Sequence, residues 1–294
     1  MSIFREIYLF LLFTLILIFI SSLLTTYRTK DQIYQYADVS LKNSIQQENF
    51  FSRFQTSFFQ TLSGNFGETL TGEKVSSHIK NKFIPTLQLA IFSILLGGIS
   101  SVFLSLFFIY KEFYILEKIF LYLSIGILST PIFIVAVLLF LIFFLYIPIL
   151  PPGGYEWQNP TYLVLPGLTL GSRIFARLYI FSIYEIKKEQ EIGLIRFLYA
   201  RGLPKKIVFF KYIFFKILPI LSILILLDLS SLLSGAMIVE EIFFFPGIGK
   251  SMYLGIKSMD TNLLRGLLIY TGIIFYILSR VSKWLQVKLV QVEI

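Results

Sequence analysis

The chain has 294 residues, 56% of them hydrophobic and 17% aromatic, with 32 Phe and 17 Tyr, and a mean hydropathy of +0.79. That is more apolar surface than a soluble core can hide, and it places the chain in a bilayer. No Cys and a single His, His78, exclude disulfides, thiolate metal sites and His-based zinc or base–nucleophile constellations, so no cofactor or metal is expected.

A transmembrane helix needs about 20 mostly apolar residues, and six stretches qualify: 6–26, 84–110, 119–149, 162–184, 212–239 and 263–282. The fold expected is an all-α integral membrane protein with six transmembrane helices. An extracytoplasmic segment follows the first, and a cytoplasmic loop joins the fourth to the fifth. Residues 1–26 read as a retained anchor rather than a cleaved signal, because the apolar stretch is long and no small-x-small site stands near Ser21-Ser22-Leu23-Leu24. Residues 27–82 form the outer segment, where His78 reads as a surface residue, and 83–294 form the core. The third stretch is too long for an upright helix and carries Pro131, which removes a backbone donor and bends it.

The net charge of +9 is read as topology, not as a nucleic-acid footprint. Residues 185–216 hold Lys187, Lys188, Arg196, Arg201, Lys205, Lys206, Lys211 and Lys216, while 148–161 hold neither Lys nor Arg. The basic loop is therefore cytoplasmic, and six spans return both termini to that side.

Within that loop Ile192, Ile195 and Tyr199 fall at i, i+3 and i+7, which puts them on one helical face suited to a groove. Ala200, Arg201, Gly202 and Leu203 follow, then Pro204, and "RGLP" reads as a sharp corner between two short helices. A side chain at Gly202 is expected to strain the backbone, and a bulky one to push the docking helix out of its groove as well. The alternative is an interfacial hairpin held by anionic lipid headgroups.

In the fifth stretch, Asp228 must face protein or water. Two readings stand: with Ser231 and Ser234 it lines a passage, or it packs between helices among small residues. Arg173 and Arg177 share a face of the fourth span, with snorkelling to the interface or pairing with Glu185 favoured over contact with a passage.

Beyond the fifth span, "FFFPGIGKS" at 243–251 imitates a phosphate-binding loop. The first glycine that such a loop needs is Phe244 here, and the charge count puts the stretch outside the cell, away from ATP. Turns at Pro246-Gly247 and Gly249, with Phe243, Phe244 and Phe245 packed as a re-entrant or interfacial plug, are expected instead.

"EQEIGLIRFLYARGLPKKIVFFKYIFFKILP" resembles the coupling loop of bacterial ABC importer permeases, with Ala200, Gly202 and Pro219 at matching positions. Arg196, Phe197 and Leu198 depart from it. The resemblance narrows to the dipeptide, oligopeptide and nickel permease family, first-subunit type. "SGNFGETLTGEKVSSHIKNKFIPTLQLA", "LSTPIF", "LPPGG", "LPGLTLG" and "VEEIFFFPGIG" follow in the family's order across about residues 62–280.

The resemblance implies an inner-membrane permease that makes half of a path for small peptides, or for nickel and related solutes. Its implied partners are a homologous second permease, two cytoplasmic ATPases and an extracytoplasmic binding protein. It also implies a coupling role for residues 192–203 and an outer gate at Glu240, Phe243, Pro246, Gly247 and Gly249. A stand-alone secondary transporter would show repeat halves with matched broken helices, and a membrane enzyme would need convergent reactive residues at one depth. Neither pattern is visible, and Asp228 has no evident partner in the sequence.

Overall fold

A computed structural model describes residues 3–36, 50–191, 193–234 and 236–290; Ile192 and Gly235 lie outside these. Among the described residues the chain is helical, with no named strand. In order these are α1 (Ile3–Tyr36) and α2 (Phe50–Leu62), α3 (Val75–Lys111), α4 (Tyr114–Ser129) and α5 (Ile132–Tyr146). Then come α6 (Thr161–Glu191) and α7 (Gly193–Ala200), α8 (Lys205–Leu233), α9 (Met237–Ile242), α10 (Ile248–Lys257) and α11 (Thr261–Val290).

Among the described residues four helices, α3, α6, α8 and α11, are long and apolar enough to cross a membrane, and α4–α5 makes a fifth if the bent pair is one span. The apolar part of α1, Tyr8–Leu23, is shorter, although the helix itself continues to Tyr36. The fifth span also ends earlier than the hydropathy pattern suggests, at Leu233, and α9 is a separate short helix.

The break in the third stretch falls where proline puts it. A residue before proline is disfavoured in the helical region, and Thr130 (φ −91°, ψ 132°) and Pro131 (φ −58°, ψ 136°) are both extended. Two such residues in series turn the chain through 104°, a full break where a kink was expected.

The chain divides into two compact units. The first comprises residues 1–86, 233–241 and 246–276. Its apolar cluster is Val75, Ile79, Ile248, Leu263 and Leu267. Around it Asp260 caps α11, accepting from the Leu263 N–H at 3.0 Å and from the Leu70 N–H at 2.8 Å, as a residue preceding a helix does.

The second unit comprises residues 87–232, 242–245 and 277–294. Its core gathers around α6, whose Ile174, Leu178, Tyr179, Ile183 and Ile186 are buried with Phe108 of α3, Ile195 of α7 and Val208, Phe209, Ile213 and Leu221 of α8. α3 and α6 cross so closely that a Cβ on Gly97 would stand 2.2 Å from the Gly171 carbonyl oxygen, which is how small residues let membrane helices meet.

Candidate functional site

The corner between α7 and α8 is built from the end of α7 outward. Its last turn closes with two hydrogen bonds, Leu203 N–H to the Leu198 carbonyl at 3.3 Å and Gly202 N–H to the Tyr199 carbonyl at 2.9 Å. Gly202 sits at φ +80°. This is the left-handed helix ending that glycine makes without strain, usually accompanied by an apolar contact across the turn. Here Leu203 packs against the cluster that contains Leu198. Pro204 then opens α8, its carbonyl accepting from the Ile207 N–H at 2.9 Å.

Two expectations about this corner need correcting. Ile195 is only 2% exposed and lies in the second unit's core, so it holds α7 in place and is not part of an outward face. The apolar side chains that α7 does present are Leu194, Phe197 and Tyr199, with the Arg201 guanidinium 4.6 Å from the Phe197 ring centre. An ideal Cβ on Gly202 meets nothing within 4 Å in this chain, so within the chain the first cost of a side chain there is backbone strain. Ala200 is exposed beside it. Ile192 lies outside the described residues. The second helix of the corner is also not short, since α8 runs on into the span.

Half of the loop's basic residues form ion pairs within the chain. Lys187 pairs with the buried Glu117, Lys205 with Glu112, Lys188 with Glu185 at 3.3 Å and Lys216 with Glu189 at 2.6 Å. These pairs tie the ends of α3, α4, α6 and α8 into one frame, which leaves fewer cations for lipid headgroups than the sequence suggests.

Higher in the second unit, Asp228 has the partner that sequence reasoning missed. Its Oδ1 accepts from Arg177 Nη1 at 2.5 Å, whereas Glu185, the expected partner of Arg177, pairs with Lys188. The two residues are separated by 51 positions in the chain, beyond the reach of any helical periodicity. Arg173 donates to the Thr130 carbonyl at 3.4 Å, a group left without a helical partner by the α4–α5 break. Of the serines grouped with Asp228, Ser231 is exposed and Ser234 half-buried.

The glycine-rich stretch divides between the units. In the second, Phe243 is buried, its ring 6.1 Å from that of Phe140 and its carbonyl accepting from the Gly154 N–H at 2.8 Å. Phe245 is buried edge-on to Tyr155 at 5.2 Å. Phe244 points out, 59% exposed, at φ +53°. Two of the three phenylalanines are therefore buried, and the third is exposed.

In the first unit, Gly247 caps α10, and the donors at that helix start turn to a carboxylate of the chain itself. The buried Glu240 accepts from the Lys250 N–H at 2.8 Å and from Thr86 Oγ1 at 3.3 Å, while Thr86 Oγ1 accepts from the Ile248 N–H at 2.8 Å. A Cβ on Gly247 would lie 2.4 Å from the Glu240 carboxylate, and one on Gly249 would lie 2.6 Å from the Met237 nitrogen. The motif looks like a phosphate loop because it performs the same physical task, an anion at a helix N-terminus, with Glu240 as the anion. Burial pushes the Glu240 carboxyl up to about 7 despite these donors, which favour its charged form. Pro246 is half-buried at the turn.

His78 is also corrected. It is half-buried and bridges two helices, with Nδ1 2.8 Å from Glu73 Oε2 and Nε2 3.0 Å from Ser251 Oγ of α10. Arg265, unremarked in the sequence, is buried and donates to Ser57 Oγ at 2.8 Å and the Phe66 carbonyl at 2.9 Å. An arginine within an otherwise apolar stretch is the signal that identifies it.

Comparison with known proteins matches residues 101–291 to the family model described as binding-protein-dependent transport system inner membrane component. Among similar curated proteins are the oligopeptide transport system permease protein OppB of Mycobacterium bovis, 26% identical over 79% of this chain and 76% of that protein, and the dipeptide transport system permease protein DppB of Bacillus subtilis, 26% identical over 76% and 74%. The glutathione transport system permease protein GsiC of Salmonella choleraesuis is 25% identical over 75% of this chain and 72% of its own.

Proposed function

This chain belongs to the family of binding-protein-dependent transport system inner membrane components, and from that premise we propose that it forms half of the translocation path of a peptide importer. It is a multi-pass membrane transport subunit of the ABC importer class and not an enzyme. Its partners in this reading are a homologous second permease, two cytoplasmic ATPases and an extracytoplasmic binding protein. The apolar stretch of α1 adds the sixth span, and both termini are cytoplasmic.

The observation that carries the reading is the α7–α8 corner. An exposed apolar edge, Leu194, Phe197 and Tyr199, stands on a helix locked to the bundle through Ile195 and Leu198. A push on that edge is passed directly to the long helix α8. ATP-driven closure of the ATPases moves this corner, and the spans alternate between inward-open and outward-open arrangements. Small peptides are the cargo this reading favours, since the relatives carry oligopeptides, dipeptides and glutathione in their names.

The test is reconstitution of the permease–ATPase complex with its binding protein, followed by ATP-dependent uptake of labelled di- to pentapeptides. Uptake by proteoliposomes that hold this chain alone, driven by an ion gradient, would instead mark a secondary transporter.

A further inference from the structure

Arg177 lies near the middle of α6, inside a helix that spans the membrane. Its side chain is 47% exposed, and that of its partner Asp228 is 4% exposed. The pair is therefore lopsided: the carboxylate is shut inside the second unit and the guanidinium faces out of it. A guanidinium has five N–H donors in a planar fork, and the bond to Asp228 Oδ1 engages one nitrogen. Arg173, one turn away on α6, lies on the same side and donates to the Thr130 carbonyl. Facing lipid would be costly for such a group at this depth, so the outward side of Arg177 meets water, a ligand or another subunit.

We propose that Arg177 is a docking point for the carboxylate of a peptide in transit, with Asp228 as the buried counter-charge that balances the guanidinium when no peptide is bound. The assignment rests on the peptide-importer reading above. A planar carboxylate is the group that the arginine fork fits in two parallel hydrogen bonds. Asp228 also limits how tightly that carboxylate is held, because the two compete for one cation, and a passage works only when its sites release what they bind. Among the described residues Asp228 Oδ2 is buried with no hydrogen-bond partner, which fits a carboxylate held by a single bond to a shared arginine.

The experiment is uptake of a tripeptide with a free carboxyl terminus by the reconstituted complex at saturating loaded binding protein, comparing Arg177→Gln, Arg177→Lys and the swap Arg177→Asp/Asp228→Arg. Arg177→Gln should lower the maximal rate at least tenfold with the second permease and ATPases still co-purifying. Arg177→Lys, which keeps the charge but not the fork, should fall between it and wild type. The swap restores the ion pair but turns the carboxylate outward and the cation inward, so it should assemble and remain as slow as Arg177→Gln.

If the swap returns the rate to within twofold of wild type, the pair is only a strut and the proposal fails. It fails equally if Arg177→Gln transports normally, or if both variants lose the second permease, which would make Arg177 a subunit contact. Should Arg177→Gln fail to insert, the rate of the swap alone separates a docking point from a strut. Absence of ATP-dependent uptake by the wild-type complex would count against the importer reading itself.

Discussion

Replacing Gly202 isolates one physical term. Its φ of +80° lies where L-residues pay about 1–2 kcal/mol, and the open space around its Cβ means that no clash of that atom within the chain adds to this. The corner is held locally by two hydrogen bonds, each contributing about 1 kcal/mol net, and by the partial burial of Leu203. The strain is comparable with that local margin, and 1–2 kcal/mol shifts an equilibrium by roughly 5–30-fold. Helix α7 itself stays docked, because Ile195 and Leu198 are both buried, each such side chain contributing about 1.5–3 kcal/mol. Insertion and pairing with the second permease should therefore be near normal, while cargo-stimulated ATP hydrolysis and retention of the ATPases fall. The order should follow tolerance of the left-handed region and not size: Gly202→Asn mildest, Gly202→Ala intermediate, Gly202→Val most severe, since a β-branched residue is worst there. The assay is ATPase co-purification plus hydrolysis stimulated by loaded binding protein. A normal Gly202→Val, or an order that follows side-chain volume with Gly202→Ala harmless and Gly202→Asn damaging, would refute the argument.

Topology is open to single cysteine probes in this Cys-free chain: the exposed positions Gln158 and Ser258 should label from outside in intact spheroplasts, and exposed Lys206 only after permeabilisation. For Glu240 the carboxyl rises in the folded chain to about 7 from 4.5, so the fold binds the proton more tightly than the unfolded chain does. Its stabilising contribution is complete below about pH 4.5 and is lost as pH rises through 7. The thermal midpoint of the complex should decline across that window, and Glu240→Gln should flatten the decline; an unchanged slope would argue against it. Lys250→Ala should leave the ATP affinity of the assembled complex unchanged in a nucleotide-binding titration, because the donors of that loop serve Glu240; a large loss of affinity would contradict this. Asp260→Ala should cost about 1 kcal/mol as a lost helix cap, read as a lower unfolding midpoint with insertion retained.

Much of this protein is written locally. Hydropathy runs longer than a bilayer crossing mark α3, α6, α8 and α11, because each segment must satisfy its own backbone within lipid and needs no partner to be recognised. The break at Pro131 and the glycine corner at 202 are local in the same way, as backbone preferences of single residues. The tertiary structure alone decided which polar groups meet. The pairing of Arg177 with Asp228, of Glu117 with Lys187, and of Glu240 with the start of α10 depends on how helices distant in sequence come together. It also decided that Ile195 faces inward and Phe197 outward. An amphipathic period shows that a helix has two faces, but which of them is covered is fixed by what packs against it.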